Sequence, residues 1–349
     1  MKVCYFGSYL PSYPRHRIII KGLESLGVDV CEVTDSSQIL LRYPKMAREF
    51  FAQEDFDVII VGEASNYVQP LAILLKKISN KPLVFDTYVS LYDTNKDRGV
   101  HQNPILRKLF YYLDKYNCQY SDLVLQDTNN SAQYFQDTFN IPSNKFRRLL
   151  IGAEDDLFYP RDVIRDDDKF KVLFYGTYIP LHGIEYIVKS AKLLENENID
   201  FQLIGNGQTF SDIKALKEDL NLSNVYFTDM VPYTDLPDYI AKSDVCLGIF
   251  GGTEKSMRVI PTKAYQILAM EKPLITGNSP GARELLVNDE NAVLCDMGSA
   301  ESLADSILRL KNDKKLRDKL GLNGFKLFKK SLSPEKIGEE MLGILKEVI

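Results

Sequence analysis

Three histidines, His16, His101 and His182, are all that the 349 residues contain. Each falls in or near a stretch that follows a short apolar run, the place where an α/β sheet presents its loops and helix N-termini to a ligand. His16 belongs to SYLPSYPRHR (8 to 17), where Tyr9, Arg15, His16 and Arg17 are candidates for holding an anion; an ordinary surface loop is the alternative. Asp86 and His101 bracket DTYVSLYDTNKDRGVH (86 to 101), with Asp93 and Asp97 between them. A carboxylate and an imidazole there have the chemistry to take or give a proton. The same acids would equally serve to cap and order a long loop.

His182 closes YGTYIPLHG (175 to 183), and a second glycine turn, LIGNGQ (203 to 208), follows. Gly176, Gly183, Gly205 and Gly207 allow a backbone to approach a phosphate closely, and a helix starting there offers unpaired N–H groups to the anion. Thr177 lies in the same turn as His182. An ordinary tight turn would need the same glycines. The densest stretch is RVIPTKAYQILAMEKPLITGNSPGARELL (258 to 286). Pro261 and Thr262 predict a helix entry, which places Arg258, Lys263 and Gln266 near a helix N-terminus, where an anion is already favoured. A solvated basic face is the plain alternative.

The elements that must carry these residues are legible as short apolar runs with helical stretches between. In the first half the runs are 2 to 7, 29 to 35, 57 to 62, 82 to 87, 122 to 128 and 146 to 152; in the second they are 171 to 176, 200 to 205, 225 to 230, 245 to 250, 273 to 277 and 292 to 296. Runs of this kind suit strands buried on both faces of a parallel sheet. The length asks for two cores, so the expectation is two doubly wound Rossmann-like α/β domains whose strand ends face each other across a cleft. We place the first at 1–160 and the second at 161–330, around an exposed linker within 155 to 171 that holds four Asp between Asp162 and Asp168. A final helix at 331–349, opening on Ser-Pro-Glu, is expected to cross back toward the first domain.

A formal charge of -5 offers no reason to expect nucleic acid as a partner. That total conceals a charge of +2 over residues 1 to 150 and -7 over the remainder. Cys4, Cys31, Cys118, Cys246 and Cys295 form no CxxC and keep no metal-ligand spacing, and read as reduced, structural thiols. The N-terminus reads as a first strand rather than a signal peptide, and no apolar run approaches the length of a membrane span. The expected location is therefore cytoplasmic, with association at the inner face of a membrane left open.

YGTYIPLHG, LIGNGQ, the block around PTKAYQILAMEKPLIT and GARELL behind it, taken in that order, resemble the family four glycosyltransferases, which have the two-domain GT-B fold. The resemblance covers nearly the whole chain. It implies a nucleoside-diphosphate-sugar donor held mainly by the C-terminal domain, a glycan or lipid-linked acceptor on the N-terminal side, and transfer with retention. Tyr9, Arg15, His16 and Arg17 are then candidates for an acceptor phosphate, and Asp86, Asp93, Asp97 and His101 for holding the sugar or taking the acceptor proton. It also implies that no metal or cofactor takes part beyond the donor as co-substrate. The family's two glutamates fall in register at Arg258 and Gln266, and its diphosphate-clamping Arg and Lys at Thr177 and His182. We expect Arg258 and Lys263 to take over the clamp, Gln266 to bond a ribose hydroxyl, and Asp86, His101 and Arg258 to act in catalysis. Gly176, Thr177, His182, Gly183, Gly205 and Gly207 complete the donor site. With both glutamates replaced, a donor-binding protein without transferase activity is one alternative, and a sugar-nucleotide epimerase of the same fold is another. Arg258 also hints at an acidic donor sugar. In NPILRKLFYYLDKYNCQY (103 to 120), Ile105, Leu106, Leu109, Phe110 and Leu113 stand at helical spacing, and core packing is preferred there to contact with a membrane.

Overall fold

The computed structural model describes residues 1–10, 13–35, 37–53, 55–100, 103–163 and 167–349. They form two compact units, the first of Met1–Gly152 with Ser333–Ile349, the second of Ala153–Leu332. Each apolar run expected as a strand contains one.

The first unit runs β1 (Lys2–Gly7), α1 (Pro14–Ser25), β2 (Asp29–Thr34), α2 (Ile39–Ala52), β3 (Val58–Val61), α3 (Gln69–Ser79), β4 (Leu83–Asp86), α4 (Leu91–Arg98), α5 (Pro104–Tyr120), β5 (Leu123–Gln126), α6 (Asn129–Phe139) and β6 (Phe146–Arg148). Among the described residues these strands make one parallel sheet of six, in the order β2-β1-β3-β4-β5-β6. Strands β3, β4 and β5 are buried along their whole length, which is why they read as continuous apolar runs. The chain moves outward from β1 to β2 and then back past β1 to β3, so the order reverses beside β1. Right-handed crossovers then place α2, α3, α5 and α6 on one face, where successive helices touch, and α1 on the other.

The second unit runs β7 (Phe170–Tyr175), α7 (Ile184–Leu193), β8 (Ile199–Ile204), α8 (Phe210–Asp219), β9 (Val225–Thr228), α9 (Leu236–Lys242), β10 (Val245–Leu247), α10 (Thr262–Ala269), β11 (Leu274–Gly277), β12 (Val293–Cys295), α11 (Ala300–Asn312) and α12 (Lys314–Ser331). Its parallel sheet has the order β12-β11-β10-β7-β8-β9, with the same reversal beside β7. The chain then returns to the first unit as α13 (Pro334–Leu345). Ser333 caps α13 at the Lys336 N–H, and Pro334 supplies its first residue. The helix lies against α1 at a pair of glycines: a Cβ on Gly22 would sit 2.1 Å from the Pro334 carbonyl oxygen, and one on Gly338 2.3 Å from the Gly22 carbonyl carbon. Beyond it, Arg147 donates to the Glu347 carboxylate at 2.9 Å.

The junction lies earlier than the expected boundary at 160. Ala153 donates to the Leu332 carbonyl at 3.2 Å, and buried Phe158 packs edge-on to Tyr233 at 5.4 Å. An aromatic anchor and a backbone bond therefore bind 153–160 to the second unit, so the exposed linker expected over 155 to 171 does not begin at 155. All five cysteines are free, and Cys118 is buried in α5. No helix among the described residues is long and apolar enough to cross a membrane.

Candidate functional site: a glycine-lined cation in the second unit and a buried polar centre in the first

In the second unit the loops that follow β7 and β8 are zipped together. Gly176 donates to the Ile204 carbonyl at 3.0 Å, Tyr178 to that of Asn206 at 2.9 Å, and Thr209 to that of Tyr178 at 3.0 Å. A Cβ on Gly205 would lie 2.0 Å from the Gly176 carbonyl oxygen, and one on Gly207 2.8 Å from the Tyr178 nitrogen. Loop-to-loop contact by itself therefore requires glycine at both positions. Gly183, at φ +62°, ends the short turn Pro180–His182 and opens α7, and its Cα faces the Gly251 backbone. Within this turn the His182 Nδ1–H donates to the Thr177 carbonyl, and the imidazole stands edge-on to Phe174 at 5.6 Å.

Gly176 is different, because what it approaches is a side chain from elsewhere. A Cβ there would lie 3.1 Å from Lys263 Nζ and 3.3 Å from His182 Cε1. Lys263 stands in the first turn of α10, a helix buried along almost its whole length, so its side chain has only the space between Phe174 and Gly176. Its ammonium lies 3.8 Å from the centre of the Phe174 ring and has no hydrogen-bond partner among the described residues. Burial pushes its pKa well below the usual 10.5. A buried amine faced by an aromatic ring, beside a glycine turn and an uncapped helix N-terminus, has the chemistry to pair with an anion on taking up a proton.

Gln266, one turn further along α10, is engaged at both ends. Tyr175 donates to its carbonyl at 3.0 Å, its amide donates to the Tyr233 hydroxyl at 3.2 Å, and Tyr233 donates to Glu154 at 2.8 Å. Gln266 thus sits in a partly buried chain of hydrogen bonds that ties α10 to β7 and to Tyr233. Arg258 lies half-buried in the turn before α10, where Gly281 packs on its carbonyl at a distance that leaves no room for a Cβ. Phe174, Glu154 and Tyr233 were not singled out from the sequence; neither residue type nor spacing marks them.

In the first unit, Arg15 and Asp86 form a single buried ion pair. The guanidinium donates to both carboxylate oxygens, at 2.6 and 3.0 Å, and its remaining arm reaches the Leu149 carbonyl at 3.3 Å. Asp86 is completely inaccessible and Arg15 is 1% exposed. Here the structure departs from the expectations of an acceptor-phosphate arginine and a catalytic aspartate, since each consumes the other's charge. His16 is equally buried, with Nδ1 3.1 Å from the Tyr5 hydroxyl and its ring tilted on Tyr9 at 4.2 Å. Burial, reinforced by the Arg15 charge, lowers its pKa to about 3, so the ring is neutral and cannot hold a phosphate as a cation. Tyr9 donates to Glu32 at 2.8 Å, and of the four expected acceptor residues Arg17 alone is exposed. Asp93 and Asp97 lie on α4, while His101 lies outside the described residues.

The sequence reading passed over Glu63, which follows Gly62 at the end of β3. One of its oxygens lies 3.9 Å from His16 Nε2, and the other has no hydrogen-bond partner. Burial, with Asp86 adding like charge, pushes this carboxyl up to about 8. A Gly-Glu pair closing an all-apolar strand was the available signal.

Residues 156–327 match the model of the family described as glycosyl transferases group 1. An uncharacterized glycosyltransferase of Methanocaldococcus jannaschii is 24% identical over 306 residues, spanning 85% of this chain and 77% of the relative. Among solved structures, the sucrose-phosphate synthase of Thermosynechococcus elongatus superposes with a TM-score of 0.79 at 17% identity, over 99% of this chain and 98% of the other. Anabaena HepE in complex with UDP superposes with a TM-score of 0.75 at 15% identity, over 99% and 100%. At these identities the structural likeness concerns the fold.

Proposed function

This chain is a group 1 glycosyltransferase of GT-B fold, and we propose that it takes its sugar from a nucleoside diphosphate bound at the strand ends of the second unit. The carrying observation is Lys263, a buried ammonium without a polar partner, 3.1 Å from where a side chain on Gly176 would begin. Leaving an ion buried and unpaired costs several kcal/mol. A diphosphate supplies the missing counter-charge, and the N–H groups at the start of α10 add theirs. That HepE was solved with UDP supports this donor class.

As the glycosidic bond breaks, negative charge accumulates on the departing diphosphate, and a preorganised ammonium stabilises that state more than the ground state. Arg258, on the turn before α10, supplies the second cation. Thr177 and His182 hold the turn that carries Gly176. The acceptor is a glycan or a lipid-linked sugar of the kind used in surface polysaccharide, and transfer proceeds with retention and without a metal. Asp86 and Arg15 act as a positioning pair that pins the first turn of α1 to the end of β4.

Titrating nucleoside diphosphates by calorimetry tests the reading. Losing one charge-assisted hydrogen bond of about 1.5–3 kcal/mol predicts that Lys263→Met weakens binding by roughly ten- to a hundredfold. The wild-type titration, repeated in buffers of different ionisation enthalpy, takes up a proton where Lys263 is depressed, and the variant does not. Undiminished binding in the variant removes Lys263 from the site, and binding without turnover of any sugar donor leaves a donor-binding protein. Arg258→Ala lowers turnover more than donor affinity.

A further inference from the structure

Two of the five thiols meet across the sheet of the first unit. Strands β1 and β2 are parallel neighbours, and their register sets Cys4 directly opposite Cys31. Side chains paired in this way leave the sheet on the same face. Both enter one apolar cluster, Cys4 among buried Phe6, Met46 and Phe50, and Cys31 at its margin. Neighbouring strands lie about 4.8 Å apart, inside the window of about 4.4–6.8 Å over which a disulfide joins two Cα atoms. The two thiols are hydrogen-bonded to each other with Cys4 as donor, and the Cys31 thiol donates to the Val3 carbonyl at 3.4 Å. Both are free in this structure.

The two positions are not equivalent. Cys4 lies on β1 between β2 and β3 and is completely inaccessible. Cys31 is partly exposed on β2, which ends the sheet among the described residues and is hydrogen-bonded along one side only. An edge strand can make the small shift that a bond between the sulfurs requires, and its margin is open to a small solute. The bond donated by Cys4 pushes the Cys31 thiol down to about 7, helped by the Lys2 charge, and the same bond pushes the Cys4 thiol up. Burial raises the other three, Cys118, Cys246 and Cys295. A reachable, acidic thiol backed by a buried one in bonding register is the arrangement of an attacking and a resolving cysteine. Packing alone asks for neither the register nor the exposure.

We propose that Cys4 and Cys31 form a dithiol site that hydrogen peroxide oxidises to a reversible disulfide between β1 and β2. The Cys31 thiolate attacks the peroxide: an S–O bond forms, the O–O bond breaks, and the departing oxygen takes up a proton to leave as water. The Cys4 sulfur then displaces the oxygen left on Cys31: the S–S bond forms, the S–O bond breaks, and the Cys4 proton leaves in a second water. Two electrons pass from the sulfurs to the peroxide. Glu32, next along β2, accepts from the Tyr9 hydroxyl at 2.8 Å, so a shift of β2 reaches the ring that lies on His16. This inference is independent of the donor site.

The test is to treat the full chain with hydrogen peroxide, block the remaining thiols with iodoacetamide and map its peptides without reductant. Two of the five thiols disappear, the fragments bearing Cys4 and Cys31 are found joined, and dithiothreitol separates them. Cys31→Ala prevents the loss, whereas Cys4→Ala leaves Cys31 as a sulfenic acid that dimedone captures. In the reduced protein the alkylation rate of Cys31 rises with pH through a midpoint of about 7. Cys4→Ala moves that midpoint toward about 8.5, which a packing role would not do. The wild-type map decides the matter even if a variant does not fold. Five free thiols after peroxide, Cys31 oxidised without joining Cys4, or links formed only between chains overturn the proposal.

Discussion

At the residue scale, two buried ionisable groups carry opposite messages. Lys263 is depressed by burial against the Phe174 ring, whereas Glu63 is raised to about 8 within a centre closed by Arg15, His16 and Tyr9. A carboxyl whose folded pKa exceeds its ordinary 4.5 favours folding while protonated, so its contribution is complete below 4.5 and is lost as pH rises through about 8. Glu63→Gln keeps the shape and removes the charge. We expect the variant to match the wild type in chemical denaturation near pH 5 and to exceed it by a few kcal/mol near pH 9. A difference of the same size at both pH values would place the effect in packing. None of this centre was legible in the sequence as a unit: Arg15 and Asp86 are separated by 71 residues, and only the reversal of strand order beside β1 brings them together. The three histidines were found by type alone, and burial decided against His16 what position had suggested.

At the element scale, the strands were legible because a strand buried on both faces must be apolar at every position, a pattern with few competitors. Helix faces were less so. The apolar spacing of α5 correctly predicted a helix, but spacing states only that a face exists, and the bonds of Asp114 to Ser90 and Asn66 settled which side turns inward. The contact of α1 with α13 gives a sharp prediction. Replacing Gly22 by Ala gains about 1 kcal/mol of helix propensity, but its Cβ would lie 2.1 Å from a backbone oxygen that no rotamer change can move. Overpacking of this kind costs about 1–3 kcal/mol. Gly22→Ala should therefore be destabilising overall in urea denaturation; a more stable variant would show that the two helices separate freely.

At the scale of the whole molecule, the second unit is an insertion in the first. The donor site proposed on Lys263 and Gly176 lies entirely within Ala153–Leu332, while α13 completes only the Met1–Gly152 unit. Truncation after Leu332 should speed hydrogen exchange in β1 to β5 yet leave affinity for nucleoside diphosphate unchanged. A loss of that affinity would show that the units are not energetically separable. A nucleotide at 100 times its Kd adds about 2.7 kcal/mol to the state that binds it, and we expect that protection to concentrate in β7 to β12. Hydrogen exchange, measured strand by strand, reads both outcomes.

The bond from Ala153 to the Leu332 carbonyl, 3.2 Å long, brings the two ends of the inserted unit side by side. On the ribosome, the strands of the first unit emerge before those of the second, but the helix that covers α1 is made only after the second unit. The part synthesised second therefore completes its fold first, and the exposed side of α1 waits for Ser333–Ile349 to leave the exit tunnel. The same closed ends make Ala153–Leu332 a natural cassette: a stretch that could be excised, or exchanged for the corresponding stretch of a relative with another donor, at a seam the chain already joins by a hydrogen bond.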